Sequence, residues 1–423
     1  MLRLILLAAA ALALLPASAA ARWSPPATLT AHLPAPGDAA AQVAVSPAGR
    51  TLVAWTRGAG VVLSAGDRRG RFSAPRTVAR RGGSPRVAIA ADGSALIAWT
   101  RGARIWVATR SPGGRIGRAR AISAPARRGV DGPFLAMAPG GDAVIAWTAS
   151  GRIGVTWAAI RSASGGVGAP QRLGAGRVDS FAGSPASIGA AGDAAVAFLA
   201  PAGSQTVLAV ARRRAGTTGF DAPTRVGAPP ATEPGIAAGA DGNLTAAWIE
   251  GFGFESDFDG PLQIAAAAAG AAFGAPATTS ARRAFLPRVV SLGAGASTIA
   301  WQDRIRGTRP ALLNGPLSAV ARRADGTLGS EQVLDANVRA RRPRLGPLAS
   351  SRALAVWTTA PSGSRRLVWR AAVAGPDGRF VRAPAPAGHA PAFTLGQELA
   401  TAGHYAALVW QDGRRLRAAV GRL

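Results

Sequence analysis

The 423-residue chain carries 49 basic residues, all of them arginine, against 21 acidic ones, for a formal charge of +28, and it has no cysteine. This excludes a disulfide framework, a thiolate metal site and a thiol nucleophile, and it leaves a surface that attracts polyanions. Arginine in place of lysine, beside abundant Ala, Gly and Pro, is also what codon usage in a GC-rich genome writes, so charge alone assigns no partner.

Residues 1–21 read as a signal peptide. Met1-Leu2-Arg3 is a short basic start, residues 4–15 are an unbroken apolar run, and Pro16-Ala17-Ser18-Ala19-Ala20-Ala21 supplies the small residues of a cleavage site. The run is shorter than the 20 or so residues that span a bilayer. The expected product is secreted or extracytoplasmic, not membrane-spanning, with residues 22–423 as one domain.

The rest of the chain is a repeat. Trp55, Trp99, Trp147, Phe198, Trp248, Trp301, Trp357 and Trp410 each end a short apolar run, at separations of 44, 48, 51, 50, 53, 56 and 53 residues. A period of this length, with alternation and β-branched residues in place of helical spacing, predicts an all-β propeller. Eight anchors predict eight blades, with seven as the runner-up. The second unit reads most plainly: an inner strand over Pro85-Arg86-Val87-Ala88-Ile89-Ala90, a turn at Asp92-Gly93, a second strand ending at Trp99, a third up to Arg110, and an outer strand after Gly113-Gly114. Small residues such as Ala88, Ala90, Gly189 and Gly239 recur on the inner strands, as crowding around an axis requires.

The two ends complete each other. Arg22-Trp23-Ser24-Pro25-Pro26-Ala27-Thr28-Leu29 has the outer-strand wording of Phe72-Ser73-Ala74-Pro75-Arg76-Thr77-Val78, yet it precedes the first inner strand. The last repeat lacks an outer strand. Residues 22–31 are therefore expected to close blade eight.

The wording Pro-x-Val, Asp-Gly, Ala-x-Trp and then Phe-x-x-Pro resembles the repeat of secreted bacterial β-propellers, including those grouped loosely as sialidase-like. The resemblance covers most of residues 22–423 and is one of scaffold. The sialidase Ser-x-Asp-x-Gly-x-x-Trp box is absent, and Tyr405, the one tyrosine, has no assignable glutamate partner.

Loops entering the inner strands and loops between second and third strands share one face of a propeller. Arg80-Arg81, Arg127-Arg128, Arg177, Arg282-Arg283 and Arg341-Arg342 fall in the first class. Arg81, Arg128, Arg177, Arg283 and Arg342 are the candidate ligand-binding residues, because the guanidinium fork grips carboxylates, sulfates and phosphates. The loop Glu250-Gly251-Phe252-Gly253-Phe254-Glu255-Ser256-Asp257-Phe258-Asp259-Gly260 is the acidic exception. Phe252, Phe254 and Phe258 are candidates for contacting a sugar. Glu255, Asp257 and Asp259 echo the start of a calcium loop, which makes calcium the one candidate cofactor. With the loop of blade six that follows, this sector is the expected recognition site.

Asp303 and Asp412, each in a Trp-Gln-Asp sequence, and Glu250 are the weak catalytic candidates. The leading reading is a monomeric, non-catalytic propeller whose basic face binds an acidic glycan, another polyanion or a cell-envelope protein. Nucleic acid fits less well, because the tryptophans are committed to the core. The alternative is a glycan-processing hydrolase or lyase.

Overall fold

A computed structural model describes residues 21–33, 41–178, 184–251, 260–281, 283–303, 315–336, 341–360, 367–390 and 397–423. Every regular element among them is a strand, and the strands form eight antiparallel sheets. Each sheet is one repeat: blades 1 to 7 span residues 42–79, 83–121, 130–175, 186–226, 231–278, 284–335 and 341–383. The inner strand of each blade touches the inner strands of the blades before and after it, and blade 8 returns to blade 1. The chain is an eight-bladed β-propeller.

All eight anchor aromatics are buried on second strands, where they fill the gaps between twisted sheets. Around the axis the backbones come much closer. A Cβ on Gly189 of blade 4 would lie 2.0 Å from the carbonyl oxygen of Gly239 in blade 5.

The closing blade is shared as expected. Its own strands are Glu398–Ala402, Tyr405–Asp412 and Arg415–Arg422, and Arg22–Trp23 and Ala27–Thr30 add along the last of them. Trp23 pairs with Gly421 and Ala27 with Ala418. Leu29 and Leu33 are buried, and the Trp23 indole donates to the Pro384 carbonyl of blade 7 at 2.9 Å.

Much of the charge is internal to the fold. At the ends of third strands, the Arg110, Arg161, Arg213 and Arg322 guanidiniums donate to the turn carbonyls of Gly93, Gly141, Gly192 and Gly295. These four turns lie on the bottom face, where inner strands end. Burial holds Arg110, Arg161 and Arg322 below the ordinary arginine value. The same face collects carboxylates. Asp67, Asp92, Asp142, Asp193, Asp241, Asp325 and Asp377 each accept a backbone N–H in a bottom turn. Backbone hydrogen bonds hold the Asp67, Asp92 and Asp325 carboxyls below their usual range.

Candidate functional site

The top face carries its own excess of positive charge. On the loops over blades 1 to 3, Arg57, Arg80, Arg81, Arg101, Arg127, Arg128, Arg152 and Arg177 are exposed and Arg104 is half-buried. Among the described residues of these loops the one carboxylate is Asp131, which accepts from the Ser150 hydroxyl at 3.3 Å. The Arg101 guanidinium lies 4.8 Å from the Trp106 ring centroid. The loop between blades 4 and 5 holds no arginine, so among the described residues this run of exposed arginines over blades 1 to 3 forms an arc that ends there.

Of the sequence candidates, Arg81, Arg128 and Arg177 stand in this arc. Arg283 sits half-buried between blades 5 and 6. Arg342 lies in the inner strand of blade 7, and its side chain is outside the described residues. Phe252, Phe254, Glu255, Asp257, Phe258 and Asp259 also lie outside the described residues, as does most of the blade 6 loop. Among the described residues, no three His, Asp or Glu side chains group as cation ligands.

The catalytic candidates stand apart, on blades 5, 6 and 8. Glu250 accepts from the Gln263 amide, whose oxygen accepts from Thr278 at 3.0 Å. Asp412 is 3.5 Å from Arg417 and well exposed. Asp303 accepts from the Trp301 indole at 3.0 Å and from the Ser318 hydroxyl at 2.8 Å. Asp303 thus caps a core tryptophan, whereas Trp410, the equivalent partner of Asp412, has a buried indole N–H with no partner among the described residues. The shared Trp-Gln-Asp wording hides two different environments.

Burial raises the Asp303 carboxyl; the bonds from Ser318 and Trp301 oppose this, and Glu331 adds a smaller upward push. A carboxyl raised by folding binds its proton more tightly in the folded chain. Its contribution to stability is therefore present in acid and fades as pH rises through the folded value, from about pH 4 upward. Asp303→Asn keeps an acceptor for Trp301 and can donate to the Ser318 oxygen. It is expected to melt at or above the parent near neutral pH and to lose that advantage in acid, in thermal melts followed by circular dichroism. A large loss of stability at neutral pH would contradict this.

The residues missed by the sequence reading lie one step inward. In five blades the inner strand breaks register just before the axis: between Gly83 and Arg86, Asp131 and Phe134, Thr232 and Gly235, Phe285 and Arg288, and Arg341 and Arg344. Each break contains an X-Pro pair, which suits a bulge because proline brings no donor to the ladder. Ser84, Glu233 and Leu286 adopt positive φ of 47°, 50° and 52° there, conformations that cost a non-glycine residue of order 1 kcal/mol or more. The Glu233 carboxylate, buried on blade 5, accepts from the Leu286 amide of blade 6 at 2.6 Å.

A bulge re-aims the side chain that follows it. Measured by pairing with the residue before the core tryptophan, Gln42, Arg86, Phe134, Gly235, Arg288, Arg344 and Glu398 occupy one level of the ring, at its top mouth. Arg344 donates twice to the Gln397 carbonyl, at 3.1 and 2.8 Å, and lies 3.8 Å from the Glu398 carboxylate. The half-buried Arg86 lies over Phe134 at 5.9 Å and donates to its own Pro85 carbonyl at 3.3 Å. Burial pulls the Arg86 guanidinium below its ordinary value, and Glu398 pulls it partly back. Blade 1 separates these two residues along the ring, so that attraction acts across the mouth. A cleft of 520 Å³ lined by Arg76 and Arg115 lies elsewhere, at the rim between blades 1 and 2.

No protein-family model matches the chain, and no curated protein matches it by sequence. Solved structures match it in shape. An ulvan lyase, a polysaccharide lyase, superposes over 94% of this chain and 94% of its own, with a TM-score of 0.51 at 8% identity. The likeness is one of fold. A catalytically inactive virginiamycin B lyase from Staphylococcus aureus with quinupristin covers 95% of this chain and 100% of its own, with a TM-score of 0.45 at 12% identity. The Aleuria aurantia lectin in complex with a fucosylated GlcNAc covers 84% and 97%, with a TM-score of 0.41 at 10% identity. Among the described residues no helix is long and apolar enough to cross a membrane.

Proposed function

We propose that the chain is an exported, non-catalytic binding propeller whose top face holds an acidic glycan or a comparable polyanion. The observation that carries this reading is the arc over blades 1 to 3, where nine arginines face one described carboxylate. On the bottom face, seven carboxylates and four guanidiniums are engaged in turns, whereas the described residues of the arc offer a single carboxylate. On the arc, exposed guanidiniums of like charge repel one another, an interaction that salt screens beyond a Debye length of about 8 Å at physiological ionic strength. A polyanion relieves that repulsion and is gripped in two-point fashion.

The test is binding of residues 22–423 to immobilised heparin-class glycan and to a polyuronate, at low and at physiological salt. Binding is expected to weaken steeply with salt. Joint replacement Arg80→Glu, Arg81→Glu, Arg127→Glu and Arg128→Glu is expected to weaken it about 100-fold, with the fold intact, since each exposed charge reversal removes several tenths of a kcal/mol or more. Binding indifferent to both salt and these reversals would overturn the proposal.

A glycan-processing hydrolase or lyase is the second reading, and Glu398 favours it. A carboxylate beside Arg344 and facing Arg86 at the mouth is a candidate proton-transfer group. Release of reducing ends or of an ultraviolet-absorbing unsaturated product from the bound glycan, abolished by Glu398→Gln, would favour this reading over the first.

A further inference from the structure

The basic arc is spread over loops, whereas the mouth of the channel is a small, built constellation. Arg86 and Arg344 reach it from blades 2 and 7, and Glu398 stands between them on blade 8, partly exposed. Phe134 floors the Arg86 side. The charges differ in how they are satisfied. Arg344 is held by the Gln397 carbonyl and Glu398. Among the described residues Arg86 touches an aromatic ring and its own preceding carbonyl, and no carboxylate lies within ion-pair distance of it. A half-buried guanidinium whose fork is unfilled by any carboxylate is poised for a bidentate acceptor. Glu398 is an acceptor of the opposite sign on the other side of the same opening.

We infer that the channel mouth is a subsite for one carboxylate-bearing sugar unit, its carboxylate on Arg86 and a neighbouring hydroxyl donating to Glu398. The pairing of one fork donor with one carboxylate acceptor fits a uronic acid, which carries a carboxylate and hydroxyls on one ring. Phe134 offers an apolar surface beside the Arg86 fork. A sulfate ester carries its anion on a bridging oxygen, further from the ring than the carboxylate of a uronic acid, so it cannot seat on Arg86 with the same ring hydroxyl at Glu398, and a neutral sugar lacks the anion. The inference rests on the polyanion reading of the same face and adds to it: the loops attract the polymer by charge, and the mouth selects one unit of it. The five X-Pro bulges give this a structural basis, since the residue following three of them is an arginine, Arg86, Arg288 or Arg344.

The test uses residues 22–423 titrated calorimetrically with glucuronate, with glucose as the neutral counterpart and glucose 6-sulfate as the sulfated one. Glucuronate is expected to bind at least tenfold more tightly than either. Arg86→Met is expected to weaken glucuronate binding at least tenfold while melting at or above the parent, because it removes a poorly solvated charge and keeps the packing on Phe134. A merely structural Arg86 would show the reverse, lowered melting with binding unchanged, and that result overturns the inference. Arg86→Lys is expected to recover part of the affinity, since it restores the charge without the fork. Equal binding of glucose, or no binding of glucuronate by the parent, also overturns it. Failure here is distinguishable from failure of the polyanion reading: Arg86→Met is expected to keep salt-dependent binding of the polymer, and the four loop reversals are expected to keep the glucuronate site.

Discussion

Removing residues 22–31 is expected to abolish cooperative folding of the propeller. The deletion takes away both strands that cover the last strand of blade 8, together with the Ser24–Val420 backbone bond of 2.8 Å and the Trp23–Pro384 link to blade 7. It removes buried Leu29 and uncovers its cluster with Val409, Leu416 and Ala418. Loss of a buried leucine and a half-buried tryptophan amounts to about 4 kcal/mol or more. A ladder of backbone bonds and the exposure of a long apolar strand edge add to it. That sum rivals the net stability of about 5–15 kcal/mol typical of folded proteins. The deletion variant is expected to be recovered as aggregate or to melt without a sharp transition, and a synthetic peptide of residues 22–33 added in trans is expected to restore part of the transition. A melting curve superposable on that of residues 22–423 would show that closure contributes nothing.

Gly189→Ala is expected to be a costly single methyl group, placed at the contact between two inner strands. Its Cβ would lie 2.0 Å from a backbone oxygen and 3.0 Å from the carbonyl carbon of Gly239, so no side chain can rotate away and two neighbouring inner strands must separate. Overpacking of this kind costs about 3 kcal/mol or more. Gly140→Ala is the matched control, because a Cβ there meets nothing within 4 Å and its φ is not in the left-handed region. The control is expected to leave the denaturant midpoint unchanged and Gly189→Ala to lower it clearly. Equal midpoints would mean that the blades are free to slide apart at the axis.

Blade number, strand order and ring closure were legible because each is repeated or mirrored in the chain. The tryptophan on every second strand announces its own burial. The outer-strand wording around Trp23 is readable as an orphan because Phe72 and Phe220 carry it elsewhere. The crowding at Gly189 follows from small residues on inner strands. The site was less legible, for two physical reasons. A repeat register assigns a loop to a face but does not say which arginines are consumed within the fold. Arg110, Arg161, Arg213 and Arg322 look no different in sequence from Arg81 or Arg128, yet they clamp glycine carbonyls. The second reason is the bulge. The doubled arginines of the loops drew attention, while the single arginine that follows the proline in three of the five breaks, Arg86, Arg288 or Arg344, is the one that the register break brings to the mouth. Pro-Arg on an inner strand, where neighbouring positions are Ala, Val or Ile, was the available signal. Asp303 and Asp412 show the converse, identical wording with different partners, because Ser318 and a buried indole are supplied to one and an arginine to the other.

The shared last blade also sets an order of events. The bond from the Val420 amide to the Ser24 hydroxyl joins residues 396 positions apart, so a strand made early must wait for one made much later. No nascent or shortened chain that lacks Val420 can form it. The ring therefore acts as a check on synthesis: a chain that stops before the strand Arg415–Arg422 leaves its early strand without a partner and its interior open to proteolysis.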